Sequence, residues 1–134
     1  MKIKAVLETC LYAEDLNAAE KFYVNVLGLQ KFARVEGRHL FFRCGKSLFF
    51  VFNPTATREP NQEVLAHGAT GPGHVAFSID LSELDAWKDH LRRHRIEIEA
   101  EVTWPTGGQS IYFRDPAGNS VELASPQIWG LPED

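Results

Sequence analysis

Apolar and polar positions alternate over residues 7–13, with Leu7, Thr9, Leu11 and Ala13 set against Glu8, Cys10 and Tyr12. That period of two predicts a strand with one face packed on other elements. The pattern returns as Val75, Phe77 and Ile79 against His74, Ala76 and Ser78, and each strand runs into an acid and a leucine, Asp15-Leu16 and Asp80-Leu81. A helical stripe follows each time. Ala19, Phe22, Tyr23, Val26 and Leu27 fall at helical spacing, with Asp15 as N-cap and Gly28 just past the end. Leu84, Trp87 and Leu91 form the weaker copy, with Ser82 and Asp85 spaced as a capping box and Trp87 in the place of Phe22.

The repeat continues into a hairpin. Phe41-Phe42-Arg43, then Gly45, Ser47 and Leu48, match Tyr112-Phe113-Arg114, then Gly118, Ser120 and Val121, with a longer turn in the second copy at Asp115-Pro116-Ala117-Gly118-Asn119. Each half reads strand, helix, further strands. Residues 53–73 are rich in Pro, Gly, Thr and Asn without sustained period and read as a connecting loop. The expectation is a single domain over 1–134, with repeat one about 2–53, linker 54–72, repeat two about 73–125 and a C-terminal tail 126–134. The halves either pack within one chain or exchange with a second, and each option closes the sheets around a shared hollow.

Composition narrows the classes. A chain of 134 residues with 44% hydrophobic content can bury a core without disulfides. Its two cysteines, Cys10 and Cys44, lie in no metal-ligand or CxxC spacing, which fits a reducing compartment. No apolar run reaches signal-peptide or membrane-span length, so a cytoplasmic protein with no membrane partner is expected. Net charge is -4, and the basic run Arg92-Arg93-His94-Arg95 belongs to a helix end, so nucleic acid is not an expected partner.

Superposing the halves sets Glu8 opposite His74, and Glu122 opposite Phe49, or Phe50 if the hairpin slips by one. Glu8, His74 and Glu122 all point away from the apolar strand faces. Two carboxylates near one histidine repel unless a positive charge sits between them, and a divalent cation answers that need. The competing reading leaves the sheet face open to water and the carboxylates apart. Cys10 and Tyr12 share the face of Glu8; Tyr12 and Trp104 suit substrate walls, while Cys10 reads more simply as a small buried apolar residue. His39 and His67 are expected in surface or loop roles, and Trp104-Pro105-Thr106-Gly107-Gly108 is either a lid or an ordinary turn.

Three stretches carry a family resemblance that covers almost the whole chain. They are Glu8 through Asp15-Leu16 to Phe22-Tyr23 and Val26-Leu27-Gly28-Leu29, then Gly73-His74-Val75, and finally Tyr112-Phe113-Arg114-Asp115-Pro116-Ala117-Gly118-Asn119-Ser120-Val121-Glu122-Leu123. With these the chain resembles the vicinal-oxygen-chelate superfamily, the glyoxalase, bleomycin-resistance and dioxygenase proteins. The resemblance implies an α+β fold of two βαβββ repeats forming a curved mixed sheet around a shared cavity, and a homodimer. It implies metal ligands at Glu8, His74 and Glu122, on the first and last strands of the repeats.

Where related enzymes place a fourth polar ligand, this chain has Phe49 or Phe50, which cannot donate to a metal and leaves open positions. Glyoxalase I proper fits less well for that reason, and the dioxygenases typically use two histidines and one glutamate. An oxygen-rich Glu/His/Glu set suits Mn, Zn, Ni, Fe or Mg. The implied function is a metalloenzyme of lyase, isomerase, transferase or dioxygenase type that chelates two neighbouring oxygens of a small-molecule substrate, with Glu122 first and Glu8 second as general base. The pocket residues are then Cys10, Tyr12, Phe49 and Trp104. A metal-free binding protein of the bleomycin-resistance type is the alternative, favoured by Phe41, Phe42, Phe49, Phe50 and Phe52. In a third reading a metal serves structure alone, holding a dimer together without catalysis.

Overall fold

A computed structural model of the chain describes residues 1–60 and 63–134 and divides it into two compact units, Met1–Gly71 and Pro72–Asp134. Each unit is a βαβββ repeat with its own four-stranded mixed sheet, the α+β two-repeat arrangement. The first holds β1 (Glu8–Tyr12), α1 (Leu16–Lys21), β2 (Gln30–Val35), β3 (His39–Cys44) and β4 (Ser47–Phe52) in the order β1-β4-β3-β2. A short helix, α2 (Pro54–Thr57), stands in the segment expected as a structureless linker, capped by Asn53. Asn61 and Gln62 of that segment lie outside the described residues. The second unit holds β5 (His74–Ser78), α3 (Leu84–Arg93), β6 (Ala100–Thr103), β7 (Gln109–Arg114) and β8 (Ser120–Ala124) in the order β5-β8-β7-β6. In both, the first strand runs parallel to the last and the other pairs are antiparallel.

Local chemistry explains most boundaries. The Ala18 amide donates to the Asp15 carboxylate at 3.0 Å, so Asp15 caps α1 as its spacing predicts. The helix continues as a π-helical stretch, Phe22–Val26, that turns Phe22, Tyr23 and Val26 inward. Gly28 then ends it in the left-handed conformation, φ +70°. The capping box expected at Ser82 and Asp85 does not form. The chain enters α3 through a 3-10 turn, Leu81–Glu83, which places Ser82 inside the turn, and the Leu81 amide donates instead to the Glu133 carboxylate at 2.7 Å. A residue of the tail thus does the work assigned to a local one.

One face of each sheet builds a core. In the first unit Leu40, Phe42, Phe49 and Val51 are all but fully buried, and the Tyr23 ring lies 5.9 Å from Phe42 and 5.0 Å from Phe49. In the second, Ile111, Phe113, Val121 and Leu123 are buried in the same way, as are Leu84 and Leu91 on the stripe of α3. The Lys88 ammonium of α3 meets Glu101 of β6 at 3.1 Å, which ties the helix to the sheet edge.

Strand register corrects one sequence expectation. Arg43 pairs with Leu48 across residues 44–47, whereas Arg114 pairs with Ser120 across residues 115–119. The second turn is one residue longer after the matched arginines, so Leu48 corresponds to Ser120 and Phe50, rather than Phe49, corresponds to Glu122. Phe49 points to the opposite face, into the core against Tyr23 and Phe42, and is not placed to wall a pocket on the face of Cys10 and Phe50. Among the described residues no helix is long and apolar enough to cross a membrane.

One substitution tests this frame. Phe49→Ala leaves a core void and is expected to destabilise the protein by about 3–5 kcal/mol in urea unfolding. A loss within about 0.5 kcal/mol, ordinary for surface positions, would return Phe49 to an exposed wall.

Candidate functional site

The sheet face of the second unit opposite its core carries a polar cluster. His74 projects from β5 and Glu122 from β8, and the His74 Nε2 atom lies 3.3 Å from Glu122 Oε2. Glu122 is nearly sealed, with 7% of its side chain exposed, whereas His74 at 52% opens the pair to solvent. The other carboxylate oxygen, Oε1, accepts a hydrogen bond of 2.6 Å from the Ser110 hydroxyl on β7, and that hydroxyl accepts one of 3.0 Å from the Trp104 indole. The Tyr112 phenol also bonds to Glu122; burial first, then that bond, pushes its pKa above the ordinary value. The His74 and Tyr112 rings lie nearly parallel with centroids 6.5 Å apart.

The Asp115–Asn119 turn puts His74 where it is. Buried Asp115 accepts from the Ala117 and Asn119 amides through Oδ1, at 3.0 and 2.8 Å, and from the Asn119 side chain through Oδ2 at 2.9 Å. Gly118 supplies φ +86°, which lets the turn close. The locked Asn119 Oδ1 then accepts from the Gly73 amide at 2.7 Å, while the Ser120 amide donates to the Gly73 carbonyl at 2.9 Å. His74 is therefore clamped at its neighbour. Its Nδ1 sits 3.1 Å from the Ser120 carbonyl, which can only accept, so Nδ1 carries a proton, and whenever the ring is neutral Nε2 presents a lone pair.

This arrangement fits a divalent cation. At 3.3 Å a nitrogen lone pair and a carboxylate oxygen repel, so the pair calls for a proton or a cation between them, and a divalent ion can supply that charge. Two ligands each about 2.1 Å from one ion at a tetrahedral angle lie about 3.4 Å apart. His74 and Glu122 both have their remaining polar atoms engaged by outer partners, as metal ligands commonly do. Within either unit, no group of three metal-ligating side chains comes together among the described residues. Glu8, the third expected ligand, is an exposed residue at the head of β1 in the first unit.

The matching face of the first unit is aromatic. The positions of Glu122, Tyr112 and Ser110 are taken by Phe50, Phe41 and His39. Phe41 stacks on Phe50 and on His39, each at 3.9 Å between centroids, so His39 is a buried member of the stack and not the surface residue that the sequence suggested. Tyr12 bonds to His67 Nδ1 at 2.7 Å, which holds part of the connecting segment against the sheet. Cys10, half-buried beside Tyr12, has its thiol pKa pushed up, chiefly by burial, as expected of a packing residue.

Trp104 is not a free wall, since its indole is spent on Ser110 and its segment is a turn, with the Trp104 amide donating to the Gly108 carbonyl at 2.9 Å. A cavity of about 390 Å³ opens on the Glu122 face of the second unit, bounded by Ala76, Ser78 and Ala124 and by Ile128, Trp129 and Leu131 of the tail. None of Cys10, Tyr12, Phe49 or Trp104 lines it. Sequence reasoning missed Ser110 and Tyr112; their alternation on β7 in phase with the face of Glu122 was the available signal.

The profile of the Glyoxalase/Bleomycin resistance protein/Dioxygenase superfamily matches residues 5–123. Metallothiol transferase FosB of Staphylococcus epidermidis is 28% identical over 124 residues, spanning 92% of this chain and 82% of that protein. The crystal structure of lactoylglutathione lyase from Agrobacterium tumefaciens is 40% identical, with a TM-score of 0.93 over 98% of this chain and 100% of that one. A glyoxalase/bleomycin resistance protein/dioxygenase from Nocardioides, 24% identical, shares the fold at a TM-score of 0.74 over 100% of this chain and 91% of its own.

Burial in the aromatic stack holds the His39 imidazole below its ordinary value of 6.5, and the adjacent Arg38 guanidinium adds to the effect. The unfolded chain then takes up a proton that the folded chain refuses. The resulting contribution to stability is full above pH 6.5 and is lost as the pH falls below it, until the lower folded-state value is passed. The melting temperature is expected to fall as the pH drops below about 6.5. His39→Phe should flatten part of that drop; a profile identical to wild type would exclude His39 as its source.

Proposed function

The chain belongs to the Glyoxalase/Bleomycin resistance protein/Dioxygenase superfamily, and from that premise we propose that it is a divalent-metal-dependent enzyme acting on a small oxygen-chelating substrate. The observation that carries this reading is the His74–Glu122 pair, two electron donors set 3.3 Å apart with their outer atoms already engaged. His74 Nε2 and Glu122 Oε2 hold the ion, with Glu8, which begins β1 as His74 begins β5, as the third donor. Mn, Zn, Ni, Fe and Mg are all compatible with such a nitrogen and oxygen set.

The ion supplies Lewis-acid polarisation of substrate oxygens. The chain supplies the rest. Glu122 is the first candidate proton acceptor, through Oε2 when that atom is not holding the ion, because Ser110 keeps Oε1 occupied. Glu8, exposed on its strand, is the second candidate. Tyr112 donates to the carboxylate and limits its rotation. The tail-bounded cavity beside Ala76, the direct strand partner of Glu122, keeps water from one side of a bound substrate.

The relatives' names, metallothiol transferase and lactoylglutathione lyase, support a lyase or transferase in which a thiol compound takes part. The working unit is a homodimer. A second reading, metal-free capture of an aromatic or antibiotic molecule, draws support from the stacked face of Phe41, Phe50 and His39.

Elemental analysis of protein purified without chelator separates the two. The enzyme reading expects near-stoichiometric divalent metal, reduced to background in His74→Ala and in Glu122→Ala. Wild-type protein that stays metal-free after incubation with Mn(II), Zn(II), Ni(II) and Fe(II), yet shows tryptophan quenching by aromatic ligands, would replace it with the capture reading.

A further inference from the structure

We propose that Ser110, itself held by Trp104, is the positioning residue of Glu122: it fixes which carboxylate oxygen turns towards His74 and thereby sets how tightly the pair takes a divalent cation. The inference rests on the metal-dependent reading and adds two residues to it.

The direction of the chain follows from donor chemistry. An indole nitrogen only donates, so the Trp104 Nε1 proton points at the Ser110 oxygen at 3.0 Å. That occupies a lone pair of the hydroxyl and leaves its one proton for the strongest acceptor in reach, Glu122 Oε1 at 2.6 Å. Such a length is typical of a hydroxyl bonded to an ionised carboxylate. Tyr112, which neighbours both Ser110 and Glu122, completes the cluster. With Oε1 pinned, Oε2 is the atom left facing His74 Nε2.

Both ends of the chain are rigid. Ser110 is 1% exposed and Glu122 6%, so neither has room to choose another rotamer freely. Trp104 begins a turn closed twice, by its amide to the Gly108 carbonyl and by the Gly107 amide to its own carbonyl, each 2.9 Å. Gly108 presses so closely on the tail that a Cβ there would run into the Ile128 backbone. In the first unit the positions of Ser110 and Glu122 are His39 and Phe50, and no such chain occurs there. The relay accompanies the carboxylate.

The test is calorimetric titration of the full chain with Mn(II) and Zn(II), on wild type, Ser110→Ala, Trp104→Phe, the double variant and Ser110→Thr. Ser110→Ala is expected to weaken binding about 10–100-fold, the range seen when an outer partner of a metal ligand is lost. Trp104→Phe should weaken it less. In the double variant the Trp104 effect should vanish, because Trp104 acts through Ser110. Ser110→Thr, which restores the hydroxyl, should recover affinity.

Circular dichroism of the metal-free proteins checks that each variant is folded. A second readout is tryptophan emission, which should change with metal in wild type and not in Trp104→Phe. Wild type that binds no metal overturns the functional reading itself. Wild type that binds while Ser110→Ala binds equally well overturns only this inference, as do strictly additive losses in the double variant.

Discussion

A carboxylate withdrawn from water has to be met by donors or by positive charge on every side, and Glu122 is that constraint in the second unit. The two strands that flank it answer it. Ser110 and Tyr112 on β7 donate to it, and His74 on β5 stands against its remaining oxygen. The histidine is the open member, because with Nδ1 committed to the Ser120 carbonyl a neutral ring would bring a lone pair to a carboxylate. Donors close the inner side of the cluster, and the outer side is left asking for a cation or a proton. The chemistry assigned to this face follows from that asymmetry.

Holding the asymmetry in place is a backbone task. The ring of His74 is half exposed and touches little that would fix it by packing. Instead the Asp115–Asn119 turn is folded around a buried carboxylate, and its asparagine reaches the amide that precedes His74. Strand pairing carries the constraint onward, since β5 and β8 are parallel neighbours and a shift of one residue would send His74 to the opposite face. The turn and the ladder together do for His74 what burial does for Glu122.

Much of this was legible in the sequence, and what was hidden has a common cause. Alternation exposes β1 and β5, the Asp15 cap and Gly28 bound the first helix, and period-two alternation turns His74 and Glu122 away from the apolar strand faces, where the structure sets them 3.3 Å apart. Each of those features is read within a few residues of itself. The capping of α3 by Glu133, the burial of His39 beneath Phe41 and the bond from Tyr12 to His67 each depend on partners set by the chain's path through space. Phe49 and Phe50 stay alternatives at the sequence level because the two hairpins differ by one turn residue, and serine identity is a poor guide to register. Ser110 looked like any strand serine until the diagonal to Glu122 was known.

The two repeats show what it takes to turn a packing face into a chemical one. Phe41 and Phe50 occupy the same frame positions as Tyr112 and Glu122, and their stacked rings need no donors. Such a pair contributes about 0.5–1.5 kcal/mol beyond the area it buries. The polar version gives that up and must satisfy a charge as well. It does so with a serine where the first unit has His39, an indole to fix the serine, and a tyrosine where it has Phe41. A glutamate at Phe50 alone would face rings on both sides and have none of these partners. The polar cluster therefore makes sense only as a set, and its members have to be read together: a buried carboxylate on this sheet face implies the residues that hold it.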